Sequence, residues 1–221
     1  MLTFNEYLQE GINDPSIFKA IFLAGGPGSG KSFMVGKTGL TSLGFKSINS
    51  DSAFELALKN AGMKMDPENI ASPEAQKIRQ KAKELTNKQV ELALKGRLGL
   101  VIDGTGKDYA KIAKFANNLK KLGYDVGMIF VNTDLTTALT RNQKRSRSLP
   151  DGMVKTMWKD VQNNIGKFQN LFGDMMIIVD NSEGSNYEGA STSAYKRIKR
   201  WSTQVPVNKP QVKAWMAAQR S

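Results

Sequence analysis

The chain has 221 residues, a formal net charge of +12, and neither cysteine nor histidine. The missing thiols exclude a disulfide framework, and the missing imidazoles remove the commonest zinc ligand and the usual neutral-pH base. Any general base must therefore be a carboxylate, and any metal a hard, oxygen-bound ion such as Mg²⁺.

No apolar run approaches the ~18 residues of a membrane span. The start, Met1-Leu2-Thr3-Phe4-Asn5-Glu6, lacks the basic opening and apolar centre of a signal peptide. The expectation is a cytoplasmic protein with no membrane partner. The positive balance fits a polyanionic partner such as nucleic acid, phosphate-rich ligands, or a solvated basic surface.

Residues 1–16 read as an amphipathic N-terminal arm, with Phe4, Tyr7 and Leu8 at helical spacing and breaks at Gly11 and Pro15. It suits a packing arm or a docking segment. Ile21-Phe22-Leu23 is an apolar run of the kind found in a buried parallel strand. Gly25-Gly26-Pro27-Gly28-Ser29-Gly30-Lys31-Ser32 follows at once and fits G-x-x-x-x-G-K-[ST]. Such a loop needs unusual φ angles and no intruding side chains, so that its N–H groups form an anion nest before a helix N-terminus. Lys31 would reach the β- and γ-phosphates, and the Ser32 hydroxyl would sit on Mg²⁺.

Phe33–Leu43 reads as partly helical, and Phe45–Asn49 as a second strand. Ser50-Asp51-Ser52 starts a helix. Asp51 lies at a strand's carboxyl end, where open α/β sheets gather ligands, and suits either chemistry or a helix cap. Gly62–Ala71 reads as a loop. Ser72-Pro73-Glu74 opens a long helix with Ile78, Ala82, Leu85, Gln89 and Leu92 on one face. A third strand ends at Asp103, as a Walker B strand does, and Gly104-Thr105-Gly106 follows.

Lys107–Leu122 is an amphipathic helix, Val126–Val131 a fourth strand, and Thr133 or Asp134 caps the next helix. That helix runs into Arg141-Asn142-Gln143-Lys144-Arg145-Ser146-Arg147-Ser148-Leu149-Pro150. So basic a run suits a lid that neutralises charge on a transferring phosphoryl group, a nucleic-acid contact patch, or a solvated helix end. Met153, Met157, Val161, Ile165, Phe168 and Phe172 form a core stripe, and Met175–Val179 a fifth strand. Ser182–Ser193 reads as a Gly/Ser-rich linker. The stretch from Thr192 to Ser221 is basic, with short helices at Tyr195–Trp201 and Gln211–Gln219.

This order of elements resembles the P-loop kinases, above all the kinase domain of phage polynucleotide 5′-hydroxyl kinases and next the zeta-toxin kinases. The resemblance covers Ile17–Asp180 and rests on AGGPGSGKS, the spacing to Asp51, and RNQKRSRSLP. It implies an α/β P-loop NTPase fold of three layers, with a five-stranded, mainly parallel sheet and an Arg-rich lid at about 141–152 inside a kinase domain of 17–181. Residues 182–221 would then be a linker and basic helical tail.

The implied activity moves the γ-phosphoryl of ATP or GTP, with Mg²⁺, to the hydroxyl of a polynucleotide 5′-end, a nucleoside, a nucleotide or a sugar. Asp51 matches the family's general base. Arg145 and Arg141 match residues that contact the nucleotide phosphates. Asp103-Gly104-Thr105 looks like the acid-Gly-Thr stretch near the acceptor, so that Asp51, Asp103, Thr105 and Arg147 would face the acceptor. Both families usually carry an Arg three residues after the base, where it grips the acceptor or its phosphate, and this chain departs from that pattern with Phe54 followed by Glu55. The N-terminal segment looks like those of tailed-phage proteins. A second reading is therefore a nucleotide-switched module for phage assembly or nucleic-acid binding.

Overall fold

The structure, a computed structural model, describes residues 15–64, 66–145 and 148–219. Its strands are β1 (Lys19–Ala24), β2 (Lys46–Ile48), β3 (Leu100–Asp103), β4 (Asp125–Asn132) and β5 (Met176–Asp180). Its helices are α1 (Lys31–Thr38), α2 (Ser50–Asn60), α3 (Pro67–Ala71), α4 (Pro73–Lys95), α5 (Tyr109–Lys121), α6 (Leu135–Gln143), α7 (Asp151–Gln162), α8 (Ile165–Phe172), α9 (Tyr187–Ser202) and α10 (Lys209–Ala218).

β1 is buried at every position, so it must be paired on both edges and covered on both faces. The sheet order β2-β3-β1-β4-β5, all parallel, satisfies the edges. The period-two alternation of a strand satisfies the faces. Ala20, Phe22 and Ala24 pack with Ala116 and Leu119 of α5 and with Phe168 and Phe172 of α8. Ile21 and Leu23 pack with Met34 of α1 and with Ala194, Ile198 and Trp201 of α9. The result is a three-layer α/β fold. A satellite cluster of Phe54, Leu58, Ile70, Ala75 and Ala82 joins α2, α3 and α4 beside β2.

Register decides what meets at the carboxyl end of the sheet. Leu23 pairs with Asp103, which sets that carboxylate beside the start of the phosphate loop. Ile48 pairs with Ile102, which brings Asn49 level with Asp103.

Several sequence expectations change. Gly62–Ala71 is not wholly loop: Asp66 caps α3 through the Asn69 amide. On α4 the buried face is Ala75, Ala82, Thr86 and Ala93, while Leu85 and Leu92 stand exposed. Small residues win that face because α4 lies close against α2, whose Phe54 and Leu58 fill the space between them. The basic run is not a continued helix, since α6 stops at Gln143. Asn163 and Asn164 break the Met-Phe stripe into α7 and α8, and Val154 takes the buried place expected of Met153.

The supposed linker over Ser182–Ser193 contains the first turns of α9, capped by Asn186 through the Gly189 amide. Its small residues serve close packing: Ser191 is buried near Met34 and returns its hydroxyl to the Tyr187 carbonyl at 2.7 Å. α10 closes the opposite end of the sheet. There Trp215 meets Phe18 edge-on at 5.4 Å, and its indole N–H donates to the Lys95 carbonyl. The amphipathic arm with Phe4, Tyr7 and Leu8 lies outside the described residues, as does Arg147. No helix among the described residues is long and apolar enough to cross a membrane.

Candidate active site

The phosphate loop bends where its glycines allow. Gly25, Gly28 and Gly30 have φ of 154°, 76° and 89°. A Cβ on Gly28 would stand 2.6 Å from the Ala138 carbonyl oxygen, and one on Gly30 would stand 2.4 Å from Asn181 Nδ2. Both would force backbone or a bonded amide aside. Gly26 and Pro27 carry the loop past α7, whose Trp158 backbone is 3.8 Å from a Cβ built on Gly26.

The loop is held from outside by two side chains, Asn181 and Arg141, and a third, Trp158, fixes the neighbouring helix α7. Asn181 Nδ2 donates to the Ser29 carbonyl at 2.7 Å. Arg141 donates to the Asn181 carbonyl at 2.8 Å and, at 3.5 Å, to the Gly28 carbonyl. Trp158 ties α7 to the Thr133 carbonyl at 2.8 Å. Arg141 thus braces the outer side of the loop, and it is not among the residues that line the cleft described below.

Lys31 opens α1, with Ser32 second in that helix. The Lys31 ammonium donates to the Gly25 carbonyl at 2.6 Å. Burial lowers the pKa of Lys31, and the Arg145 charge lowers it further, while Asp103 pulls the other way. Asp103 shows the opposite response. Burial raises its pKa; Lys31 opposes that rise, nearby Asp51 adds to it, and the Gly104 amide opposes it. The Gly25 amide donates to the Thr105 carbonyl at 3.1 Å, so the turn after β3 is stitched to the loop.

One residue escaped the sequence reading at the centre of the site. Asn49 Oδ1 accepts from the Asp51 amide at 2.8 Å and the Ser52 amide at 3.4 Å, capping α2, while its Nδ2 donates to Asp103 at 2.9 Å. The cap that Asp51 was suited to provide is therefore Asn49, and Asp51 is free in the first turn. Asn before Ser-Asp-Ser was a readable cap signal. The bond to Asp103 depends on strand register, which local sequence does not carry.

A cleft of about 880 Å³ opens at the carboxyl ends of β1, β2 and β3. Pro27, Lys31, Asp51, Asp103, Thr105 and Arg145 all line it. Residues separated by up to 118 positions in the chain are thus brought to one cavity. Arg145 reaches it from the turn after α6, where its amide donates to the Asn142 carbonyl.

The residues suit a phosphate chain. The glycine cradle excludes side chains, Ser29 Oγ is buried without a partner, and the Lys31 ammonium is satisfied by the loop's own carbonyl. Among the described residues no cluster of three or more metal-ligating side chains occurs. One carboxylate and one hydroxyl suit a Mg²⁺ whose other ligands are phosphate oxygens and water.

The sheet order, the glycine loop and the helix it feeds define a P-loop α/β domain of the kinase type. Residues 21–163 match the profile of the AAA domain family, and the chain belongs to that family. No curated protein sequence matches the chain.

Among solved structures, the AvrRxo1-ORF1:AvrRxo1-ORF2 complex with sulphate ions is similar at 16% identity and a TM-score of 0.58, over 91% of this chain and 72% of that one. The same pair with ATP gives 15% identity and 0.56, with 91% and 72% covered. The Pnkp1/Rnl/Hen1 RNA repair complex gives 19% identity and 0.51, over 68% of this chain and 46% of that one. At such identities the likeness is one of fold.

Proposed function

We propose that the protein is a kinase that transfers the γ-phosphoryl group of a nucleoside triphosphate to a hydroxyl. The observation that carries this reading is the shared cleft of Lys31, Asp51, Asp103, Thr105 and Arg145 beside a pre-shaped phosphate loop. Phosphoryl transfer asks mainly for positioning and for charge stabilisation. The loop amides and Lys31 hold the β- and γ-phosphates. Ser32 and Asp103 would hold Mg²⁺, which neutralises developing phosphate charge when bound. Arg145 closes on the transferring group from the basic turn, and Arg141 fixes the loop from behind.

Asp51 receives the acceptor's proton. It sits in the first turn of α2 at the cleft wall, with its backbone amide already taken by Asn49. In a chain without histidine a carboxylate is the base available. Solved structures of the same fold include one with ATP and one in an RNA repair complex, which supports a nucleoside triphosphate as donor and favours a polynucleotide among the candidate acceptors, which also include a nucleoside, a nucleotide or a sugar.

The test uses γ-labelled ATP or GTP with a panel of oligonucleotides, nucleosides, nucleotides and sugars. Label should move to one acceptor class. Asp51→Asn should slow that transfer by about a hundredfold or more while leaving Mg²⁺–ATP affinity nearly unchanged. Lys31→Met should lose that affinity in a calorimeter. Full transfer by D51N would overturn the base assignment. Nucleotide uptake with no labelled product from any class would favour the switch reading.

A further inference from the structure

Arg79 lies on α4, far in sequence from the phosphate loop, yet it lines the same cleft as Asp51 and Glu55. Its guanidinium sits 4.6 Å from the centre of the buried Phe54 ring. A cation over a ring face is attracted to the π-electrons but leaves its N–H edge unused. Arg79 Nε is buried and meets no hydrogen-bond acceptor. Arg79 forms no ion pair with a described residue, although Glu55 borders the same cavity. A guanidinium that is partly desolvated, fixed against an aromatic ring and left without an anion is an incomplete site, because buried charges are ordinarily paired.

Phe54 follows Asp51 by three positions on α2, so the two share a helix face about one turn, or ~5 Å, apart. The ring that anchors the cation thus stands one helical turn from Asp51, and the cation and that carboxylate line the same cleft.

We infer that Arg79 completes an oxyanion subsite in the acceptor half of the cleft, and that the acceptor carries a phosphate or carboxylate besides the hydroxyl that is phosphorylated. The inference rests on the kinase reading for the word acceptor, but the subsite itself stands on the cavity, the ring contact and the unpaired guanidinium. The planar fork of arginine suits bidentate contact with either anion. Thr86 and Val90, also on the cleft wall, give the rest of such a molecule a mixed polar and apolar bed.

The test reads Arg79 directly. In protein labelled at arginine nitrogens, the Nε–H resonance of Arg79 is assigned as the one lost in Arg79→Lys. Inorganic phosphate and acetate are titrated separately, in the presence of Mg²⁺ and a non-hydrolysable ATP analogue, with sodium chloride at matched ionic strength as reference. A saturable shift with phosphate, acetate or both supports the subsite, and the responding arm identifies the anion. No shift, or a shift equal to that with chloride, overturns it.

Matched acceptors give the second readout. A nucleoside 3′-monophosphate should bind the analogue-loaded protein at least about tenfold tighter than the bare nucleoside, or glucose 1-phosphate tighter than glucose. That preference should collapse in Arg79→Met and partly return in Arg79→Lys. Equal affinity within every pair, or an undiminished preference in R79M, overturns the proposal. Binding of the ATP analogue, followed separately by calorimetry, distinguishes these outcomes from failure of the kinase reading: R79M should retain it, and its loss from the wild-type chain would strike the donor site instead.

Discussion

Asp134 shows how one side chain sets both a helix start and a pH response. Its carboxylate accepts from the Thr137 amide at 2.8 Å and the Thr137 hydroxyl at 2.6 Å, and these bonds lower its pKa. A carboxyl group whose pKa is depressed on folding adds stability above its unfolded value of about 3.9 and loses it as pH falls through the folded value. Asp134→Ala should therefore cost about 1 kcal/mol near neutrality, the usual worth of such a cap. The cost should shrink in acid, as urea melts at the two pH values would show. Asn142 offers a second residue-scale case. It is fully buried, donates to the Leu149 carbonyl at 2.7 Å and accepts from the Leu149 amide at 3.0 Å, pinning both ends of the basic turn. Asn142→Ala should leave two main-chain groups unpaired and speed tryptic cleavage after Lys144 and Arg145, read by mass spectrometry of the nicked chain.

At the scale of elements, the parts with local signals were legible in the sequence. The phosphate loop announces itself through glycine spacing, α4 through Ser72 and Pro73, and the buried strands through their apolar runs. What was not legible depends on partners distant in the chain. Leu85 and Leu92 read as inward because they are apolar, but the close approach of α2 selects alanines instead. The Ser-rich start of α9 reads as linker because nothing local shows that α1 will press against it. The same limit hid Asn49, Arg79 and Asn181 from the candidate site. Gly30 tests the loop as an element. Gly30→Ala must displace the Asn181 amide and strain a left-handed φ, so it should weaken nucleotide binding by about tenfold or more with only a small drop in Tm. Calorimetry and a thermal melt on the same sample separate the two effects.

At the scale of the whole molecule, the sheet divides the labour between its two ends. The carboxyl end carries the cleft. The other end carries a buried ion pair between Lys19, 1% exposed, and Asp125, at 2.6 Å, with Trp201 5.0 Å from the ammonium and the Val207 amide on the second carboxylate oxygen. Cutting one partner from such a pair strands a charge in the interior, so Asp125→Asn should destabilise the fold by about 3 kcal/mol or more. Nucleotide affinity of the remaining folded protein should be unaffected, because the pair lies at the far end of β1. The clamp on the phosphate loop has a consequence for the order of synthesis. A ribosome finishes the nine residues of AGGPGSGKS long before it reaches Asn181, which ties the Ser29 carbonyl, and Arg141 likewise emerges after them. A nascent chain halted behind β3 would thus display the entire nucleotide signature yet own no finished receptacle, and capture of the triphosphate should begin only once the fifth strand and the residues just behind it have left the exit tunnel.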